Sequence, residues 1–353
     1  VMNKGGITDR IFRFTNTVVG HMPGGLGQVN IFASIIFAGM SGSASADAAG
    51  LGSIEIKAMR DAGYDEDFSV AVTGASSIIG PIIPPSIPLV LYAVSSETSV
   101  GALLLAGILP GLLLGGLMMV YVAIYAKIKK FPRERRYSIK EIIESFIRAF
   151  FPLLTPIILI MGIFSGWFTA TEAAVVAALY AMLVAFLYGD ITIRDIPGVI
   201  HETMKLTVSA VILVTTANLY GWLVLRAGIP QYASEAISLI TVNPQMTLFV
   251  IIGFLLVMGM IMDPIPGILI LTPILAPHVV SLGVSPIHFG IIMILTLMIG
   301  LITPPVGMVL YILQKVSKIP FERIVKAILP FFIPILFTLF ILALFPDITL
   351  AIP

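Results

Sequence analysis

Three separate motifs recur along this chain at one fixed spacing of 220 residues. Gly39-Met40 returns as Gly259-Met260, Gly80-x-Ile82-x-Pro84-Pro85 as Gly300-x-Ile302-x-Pro304-Pro305, and Ile108-Leu109-Pro110 as Ile328-Leu329-Pro330. A constant offset across three motifs reads residues 39–110 and 259–330 as two copies of one pattern. Each copy carries a Pro-Pro pair inside an apolar run. Proline removes an amide donor and obstructs the preceding turn, so it frees backbone carbonyls. In lipid such groups are costly unless they are buried in protein or line a cavity. Repeated, interrupted apolar helices are the sequence mark of a secondary transporter, and the interruptions point at its ligand sites.

Composition agrees. Hydrophobic residues make up 58% of the 353 positions and charged residues 11%, against roughly 25% charged in soluble domains. Mean hydropathy is +1.06. Apolar runs at 102–126, 151–165, 171–188, 207–225, 246–262 and 327–345 approach or exceed the roughly 20 residues of a spanning helix. The expectation is an all-α polytopic protein of the lipid bilayer. With no cysteine, disulfides, thiolate metal sites and cysteine nucleophiles are excluded. A net charge of +1 gives no reason to expect nucleic acid as a partner. No Walker A pattern occurs, so ATP-driven transport by this chain has no support. No cleavable signal is evident, since Val1 opens directly onto Lys4, Asp9 and Arg10.

Charge sets orientation. Residues 127–140 hold seven basic residues, whereas 346–353 hold none. Residues 94–101 lack Lys and Arg, but their counterpart 314–326 has Lys315, Lys318, Arg323 and Lys326. Lys57 and Arg60 lie in 55–68, and 275–288 contains no Lys or Arg. Three equivalent loop pairs with opposite signs predict two repeats of inverted topology. Segments 127–148 and 314–326 are then cytoplasmic, and 94–101 and the C-terminus lie outside. The expected organisation is a first repeat over 1–126, a connector at 127–148 and a second repeat over 149–353. Counting back one repeat period from Arg148 predicts that about 70 residues of the first repeat precede Val1; the alternative is a natural short form.

Arms at 27–41 and 47–58 would be about 20 Å long, short of the roughly 30 Å of hydrocarbon. A re-entrant hairpin over 27–58 fits, with a helix broken at Pro84-Pro85 over 69–93. The second repeat is expected to hold scaffold helices at 149–226, a hairpin at 246–277, a broken helix at 289–313 and a last span at 327–345. Segments 7–20 and 230–241 alternate charge with apolar positions and read as interfacial.

Helix breaks near the midplane offer carbonyl ends to Na⁺ and amide ends to a carboxylate. The small-residue run 39–52 carries Ser41, Ser43, Ser45 and Asp47 beside Gly39 and Gly42, hard oxygen donors suited to a hard cation. Close packing through small residues is the competing reading. Asp263 is a second intramembrane acid, which calls for a cation, a substrate group or an amide partner; alternatively it caps a hairpin tip. Thr303 offers a hydroxyl beside Pro304-Pro305, or bonds back to its preceding turn. Glu172 reads as the first turn of a helix capped by Thr169 or Thr171. Gly39-Met40-Ser41-Gly42 matches the GxSG string of intramembrane serine proteases, yet that chemistry needs a base in reach. His21, His201, His278 and His288 read as loop residues without metal spacing.

Several long strings resemble one family. These are Lys4-Gly5-Gly6-Ile7-Thr8-Asp9-Arg10, His21-Met22-Pro23-Gly24-Gly25, Phe37-Ala38-Gly39-Met40-Ser41-Gly42-Ser43, Gly80-Pro81-Ile82-Ile83-Pro84-Pro85-Ser86, Phe168-Thr169-Ala170-Thr171-Glu172-Ala173-Ala174 and Thr303-Pro304-Pro305. The chain is similar, over essentially its whole length, to the large membrane (M, DctM-type) subunit of tripartite ATP-independent periplasmic (TRAP) transporters. The resemblance implies Na⁺-driven symport of organic acids, such as C4-dicarboxylates or sialic acid, across the bacterial inner membrane. It implies no cofactor beyond the coupling ion, and no enzymatic activity. As partners it implies a small four-helix membrane subunit and a periplasmic substrate-binding protein. It also implies an elevator fold like that of the ion-transporter superfamily. Its ligand regions map here to Gly39, Ser41, Gly42, Ser43, Ser45 and Asp47; Gly80, Pro84, Pro85 and Ser86; Gly259, Met260 and Asp263; and Gly300, Thr303, Pro304 and Pro305. Within these, Na⁺ is expected at Ser41, Ser43, Gly259, Met260, Thr303 and Pro304. Family members carry additional N-terminal helices. A Na⁺/H⁺ antiporter of related architecture is the nearer alternative, and the serine protease the more distant one.

Overall fold

The computed structural model describes residues 7–129, 131 and 134–353, and every regular element among them is helical. The Lys4-Gly5-Gly6 part of the first family-like string, with Lys130 and Arg133 of the basic loop, lies outside the described residues. The first half runs α1 (Ile7–Val19), α2 (Leu26–Ser41), α3 (Ala44–Ala49), α4 (Leu51–Asp61), α5 (Glu66–Ser77), α6 (Ile87–Ser95), α7 (Val100–Ala106) and α8 (Ile108–Lys129). Then come α9 (Ile139–Phe164), α10 (Ala170–Leu187), α11 (Ile196–Arg226) and α12 (Ile229–Ile240). The second half closes with α13 (Pro244–Ile261), α14 (Pro264–Ser281), α15 (Pro286–Gly300), α16 (Met308–Ser317), α17 (Phe321–Ile328), α18 (Phe332–Leu344) and α19 (Asp347–Leu350). Five helical stretches among the described residues are long and apolar enough to cross a membrane: 100–129, 139–164, 244–261, 264–281 and 321–344. The protein is a multi-pass helical membrane protein.

Both Pro-Pro pairs fall where the sequence places a break. Helix α5 ends at Ser77 and α6 starts at Ile87, while α15 ends at Gly300 and α16 starts at Met308. The paired starts Glu66 and Pro286 are 220 positions apart, and both Pro-Pro peptides are cis. These two broken helices form the centre of the molecule. Residues 68–77 of α5 and 288–300 of α15 are buried without interruption, as expected for helices apolar all round. The periphery is α9 to α12, where Trp167, Leu239 and many other large apolar side chains are exposed.

Each half leans on the other. Helix α5 packs on α17, α6 on α14, α8 on α18 and α3 on α16. At one end, Arg60 donates to the Ser317 carbonyl at 2.6 Å, and Arg323 pairs with Asp67 at 2.5 Å. At another, the Tyr92 hydroxyl donates to the Pro286 carbonyl at 2.8 Å, and His288 Nδ1 meets Thr349 Oγ1 at 2.8 Å. Loop 55–68 therefore sits against 314–326, and 92–101 lies near 282–288.

Local chemistry explains several ends. Thr169 caps α10 in a capping box with Glu172, as expected, and Ser138 does the same for α9 with Glu141. Inside α9, Pro152 and Pro156 interrupt the ladder. The missing amide of Pro152 frees the Arg148 carbonyl, which accepts from the Tyr188 hydroxyl at 3.2 Å. Tyr180 donates to the Phe151 carbonyl at 3.0 Å, one more tie between α10 and α9.

Four expectations change. Segment 7–20 is not a simple surface helix: Thr8, Ile11 and Thr15 are buried, α1 packs between α2 and α9, and Arg10 pairs with Asp190 at 2.7 Å. The second arm of the first hairpin is two helices that meet at Gly50. Each arm of the second hairpin has 18 residues, about 27 Å at helical rise, nearer to hydrocarbon thickness than its first-repeat counterpart. Three histidines leave the loops, since His201, His278 and His288 lie in α11, α14 and α15. Their apolar neighbours carried those helices past the residues taken as boundaries.

Helices α13 and α15 touch through glycine. A Cβ at Gly300 would fall on the Gly259 backbone carbonyl, and one at Gly259 would press on the Gly300 and Leu297 backbone. Backbone cannot rotate aside as a side chain can. Gly300→Ala is expected to cost about 1–3 kcal/mol of stability by overpacking, read as a lowered unfolding midpoint in detergent. Gly253→Ala, on α13 with open space around it, is expected to be neutral or stabilising.

Candidate functional site

The fold assembles two junctions, each joining a hairpin tip to the broken helix of its own half. In the first, Gly42 adopts a left-handed conformation with φ 58°, and a Cβ there would meet the Pro85 carbonyl. A Cβ at Gly80 would lie 3.7 Å from the Ser43 carbonyl. Residues 39–43 therefore rest directly on 80–86. In the second, the Val306 amide donates to the Met260 carbonyl at 3.3 Å, beside the Gly259–Gly300 contact. The junctions communicate across the halves. Ser45 Oγ donates to Met308 Sδ at 3.7 Å, where α3 packs on α16.

Many candidate oxygens have a structural task. Ser43 caps α3 by accepting from the Ala46 amide at 3.4 Å. Ser86 caps α6 by accepting from the Leu89 amide at 3.1 Å, and it donates to the Pro81 carbonyl. Asp263 caps α14 by accepting from the Ile265 amide at 2.9 Å. Thr303 bonds back to the Ile299 carbonyl at 2.6 Å. Each oxygen retains a lone pair that a cation can use. Ser41 differs, because its buried hydroxyl has no hydrogen-bond partner.

A cleft of 1120 Å³ opens beside the first junction. Its floor is Gly39, Met40, Ser41, Pro85 and Ser86, and its far wall comes from α9, α10 and α11. That wall is apolar apart from Thr155, Thr203, Thr207 and Glu202. At its edge a Cβ on Gly39 would press on the Pro156 ring of α9, so the tip meets the periphery closely. Of the candidate residues, the cleft gathers Gly39, Ser41, Pro85 and Ser86. Ser43, Ser45 and Asp47 lie behind it, and Gly259, Met260, Asp263, Gly300, Thr303, Pro304 and Pro305 belong to the second junction.

Asp47 turns away from the tip. The Ser43 cap starts α3 at Ala44, so Asp47 falls on a helical face only 2% exposed, with neither carboxylate oxygen hydrogen-bonded. Sequence reasoning overlooked Glu55 on α4, which is 1% exposed; an acid inside an otherwise small and apolar hairpin arm was the available signal. Among the described residues no group of three or more His, Asp or Glu could hold a metal ion. His278 and His288 pair with Ser234 and Thr349, and no histidine is hydrogen-bonded to Ser41.

An all-helical membrane protein with paired tip and break junctions beside an open cleft belongs to the class of transport proteins. Residues 1–348 match the tripartite ATP-independent periplasmic transporter family, DctM component. The sialic acid TRAP transporter large permease protein SiaM of Vibrio cholerae is 44% identical over 360 residues, covering 100% of this chain and 83% of that protein. The C4-dicarboxylate TRAP transporter large permease protein DctM of Pseudomonas aeruginosa is 40% identical over 353 residues, covering 100% of this chain and 83% of that protein. The sialic acid TRAP transporter permease protein SiaT of Haemophilus influenzae is 38% identical over 354 residues, covering 100% of this chain and 58% of that protein. The chain belongs to the TRAP transporter large permease (DctM) family: it is a membrane subunit of a transporter, not an enzyme.

Proposed function

We propose that this chain carries organic acids of the C4-dicarboxylate or sialic acid class inward across the bacterial inner membrane, coupled to Na⁺. Relatives named for sialic acid, C4-dicarboxylate and 2,3-diketo-L-gulonate transport support the substrate class. The partners are a small four-helix membrane subunit, docked on the apolar periphery, and a periplasmic binding protein that delivers substrate. Coupling needs no cofactor beyond Na⁺. Repeat 1 is 1–126, the connector 127–148 and repeat 2 149–353.

One observation carries the reading. Loop 55–68 packs on 314–326, the counterpart of 94–101, and not on its own counterpart 275–288. This exchange of ends supports two repeats of opposite topology, which is how carriers bring discontinuous helices from both sides to one midplane site. Na⁺ is assigned to the two junctions, at Ser41, Ser43, Gly259, Met260, Thr303 and Pro304, where freed carbonyls and hydroxyls are hard donors. The substrate carboxylate is assigned to the cleft over Ser41. In an elevator motion the hairpins and broken helices slide past α9 to α11, along the seam where Gly39 meets Pro156.

The driving force is sufficient. With two Na⁺ per monoanion, one net charge enters per cycle, worth about 2.3 kcal/mol at 100 mV. That corresponds to about 50-fold accumulation before the Na⁺ gradient adds to it. The complete transporter in proteoliposomes is expected to take up substrate only with an inward Na⁺ gradient. Uptake indifferent to Na⁺ but driven by a proton gradient would instead identify proton coupling. Asparagine caps a helix as well as aspartate does, so Asp263→Asn is expected to keep the unfolding midpoint while weakening apparent Na⁺ affinity. Unchanged affinity would leave Asp263 as a cap alone.

A further inference from the structure

The tip-facing oxygens leave one cluster unexplained. Asp47 on α3 and Glu55 on α4 are 2% and 1% exposed. Both Asp47 oxygens and Glu55 Oε1 are buried without a hydrogen-bond partner, and the helices that carry them, α3 and α4, meet at Gly50 and pack on one another. Neither acid forms an ion pair among the described residues. Basic side chains on α4, α16 and α17 are committed elsewhere or exposed: Arg60 to Glu66 and the Ser317 carbonyl, Arg323 to Asp67, with Lys57 and Lys315 in solvent.

We propose that Asp47 and Glu55 form a closed Na⁺ site behind the first hairpin tip, separate from the two junctions. This deepens the Na⁺-coupled reading and rests on it. A buried, unpaired carboxylate is unfavourable, and a second one nearby adds like-charge repulsion in a low-dielectric interior. A positive charge between them removes both costs. The surroundings supply neutral, hard oxygen donors rather than basic ones. Ser34 on α2 adjoins the Asp47 carboxyl, and its hydroxyl also lies 3.1 Å from Ser76 Oγ.

That hydroxyl belongs to an ordered chain. Ser76 donates to Asn30 Oδ1 at 2.8 Å, Asn30 donates to Thr73 Oγ1 at 2.7 Å, and Thr73 donates to the Ser69 carbonyl at 2.8 Å. Gly52 permits the geometry. A Cβ there would meet Thr73 Cγ2 at 2.7 Å, so its absence lets α4 close on α5 and seal the pair. A site closed in this way binds its ion early and holds it while the tip exchanges its own.

Isothermal titration of Na⁺ into the full transporter complex, with choline as the ionic-strength control, tests this. Glu55→Gln keeps the shape and removes one charge; it is expected to lose one bound Na⁺ per chain, and Asp47→Asn is expected to do the same. The Na⁺ dependence of uptake becomes less steep in parallel. If both variants bind as many Na⁺ as the wild type, the site is wrong. If the wild type binds none, the Na⁺-coupled reading itself fails. The unmodified chain offers a readout that needs no variant: saturating Na⁺ should abolish the infrared band of a buried carboxylic acid. A carboxylic-acid band unmoved by Na⁺ would show a permanently protonated pair and overturn the proposal.

Discussion

Backbone polar groups released at mid-membrane must find partners inside the protein, and this requirement organises the whole molecule. Pro84-Pro85 and Pro304-Pro305 break the two central helices, and lipid cannot satisfy the amides and carbonyls so released. Burial without interruption along α5 and α15 is the response: the broken helices occupy the centre, and other elements wrap them. The hairpin tips then close over the breaks, with Gly42 against the Pro85 carbonyl and Gly259 against Gly300. The same contacts that make the breaks tolerable in a membrane create two concentrations of oxygen donors.

The periphery obeys another rule. Helices α9 to α12 keep large apolar side chains outward and touch the tip through a narrow seam at Gly39 and Pro156. The carbonyl that Pro152 frees in α9 accepts from the Tyr188 hydroxyl, and α9 stays continuous where the central helices do not. An outer layer of helices and an interrupted inner layer flank the cleft beside the first junction.

Sequence revealed what depends on local chemistry and period. The breaks after Ser77 and Gly300 follow from proline, the Thr169 cap from its Thr-x-x-Glu spacing, and the element starts at Glu66 and Pro286 from the 220-residue offset. It revealed less where tertiary packing decides. Asp47 reads as part of a serine-rich tip, but the cap at Ser43 begins a helix that rotates it inward. Glu55 passes unnoticed because its burial depends on α2 and α5 closing over it, which no local pattern encodes. His278 and His288 resemble loop residues beside prolines, yet they extend helices because prolines are tolerated in the first turn or when neighbours fill the gap. Which junction a candidate joins is likewise a property of the packing. The four candidates in the cleft and the seven of the second junction look alike as motifs.

The exchange of ends between the halves underlies the rest, and the absence of cysteine makes it directly measurable. Single cysteines introduced at Ser96 and at Lys315 can be labelled with an impermeant thiol reagent in right-side-out and inside-out vesicles of the assembled transporter. The account predicts that position 96 reacts only from outside and position 315 only from the cytoplasmic side. Labelling of both from the same side would contradict opposed repeats, and with them the shared midplane site.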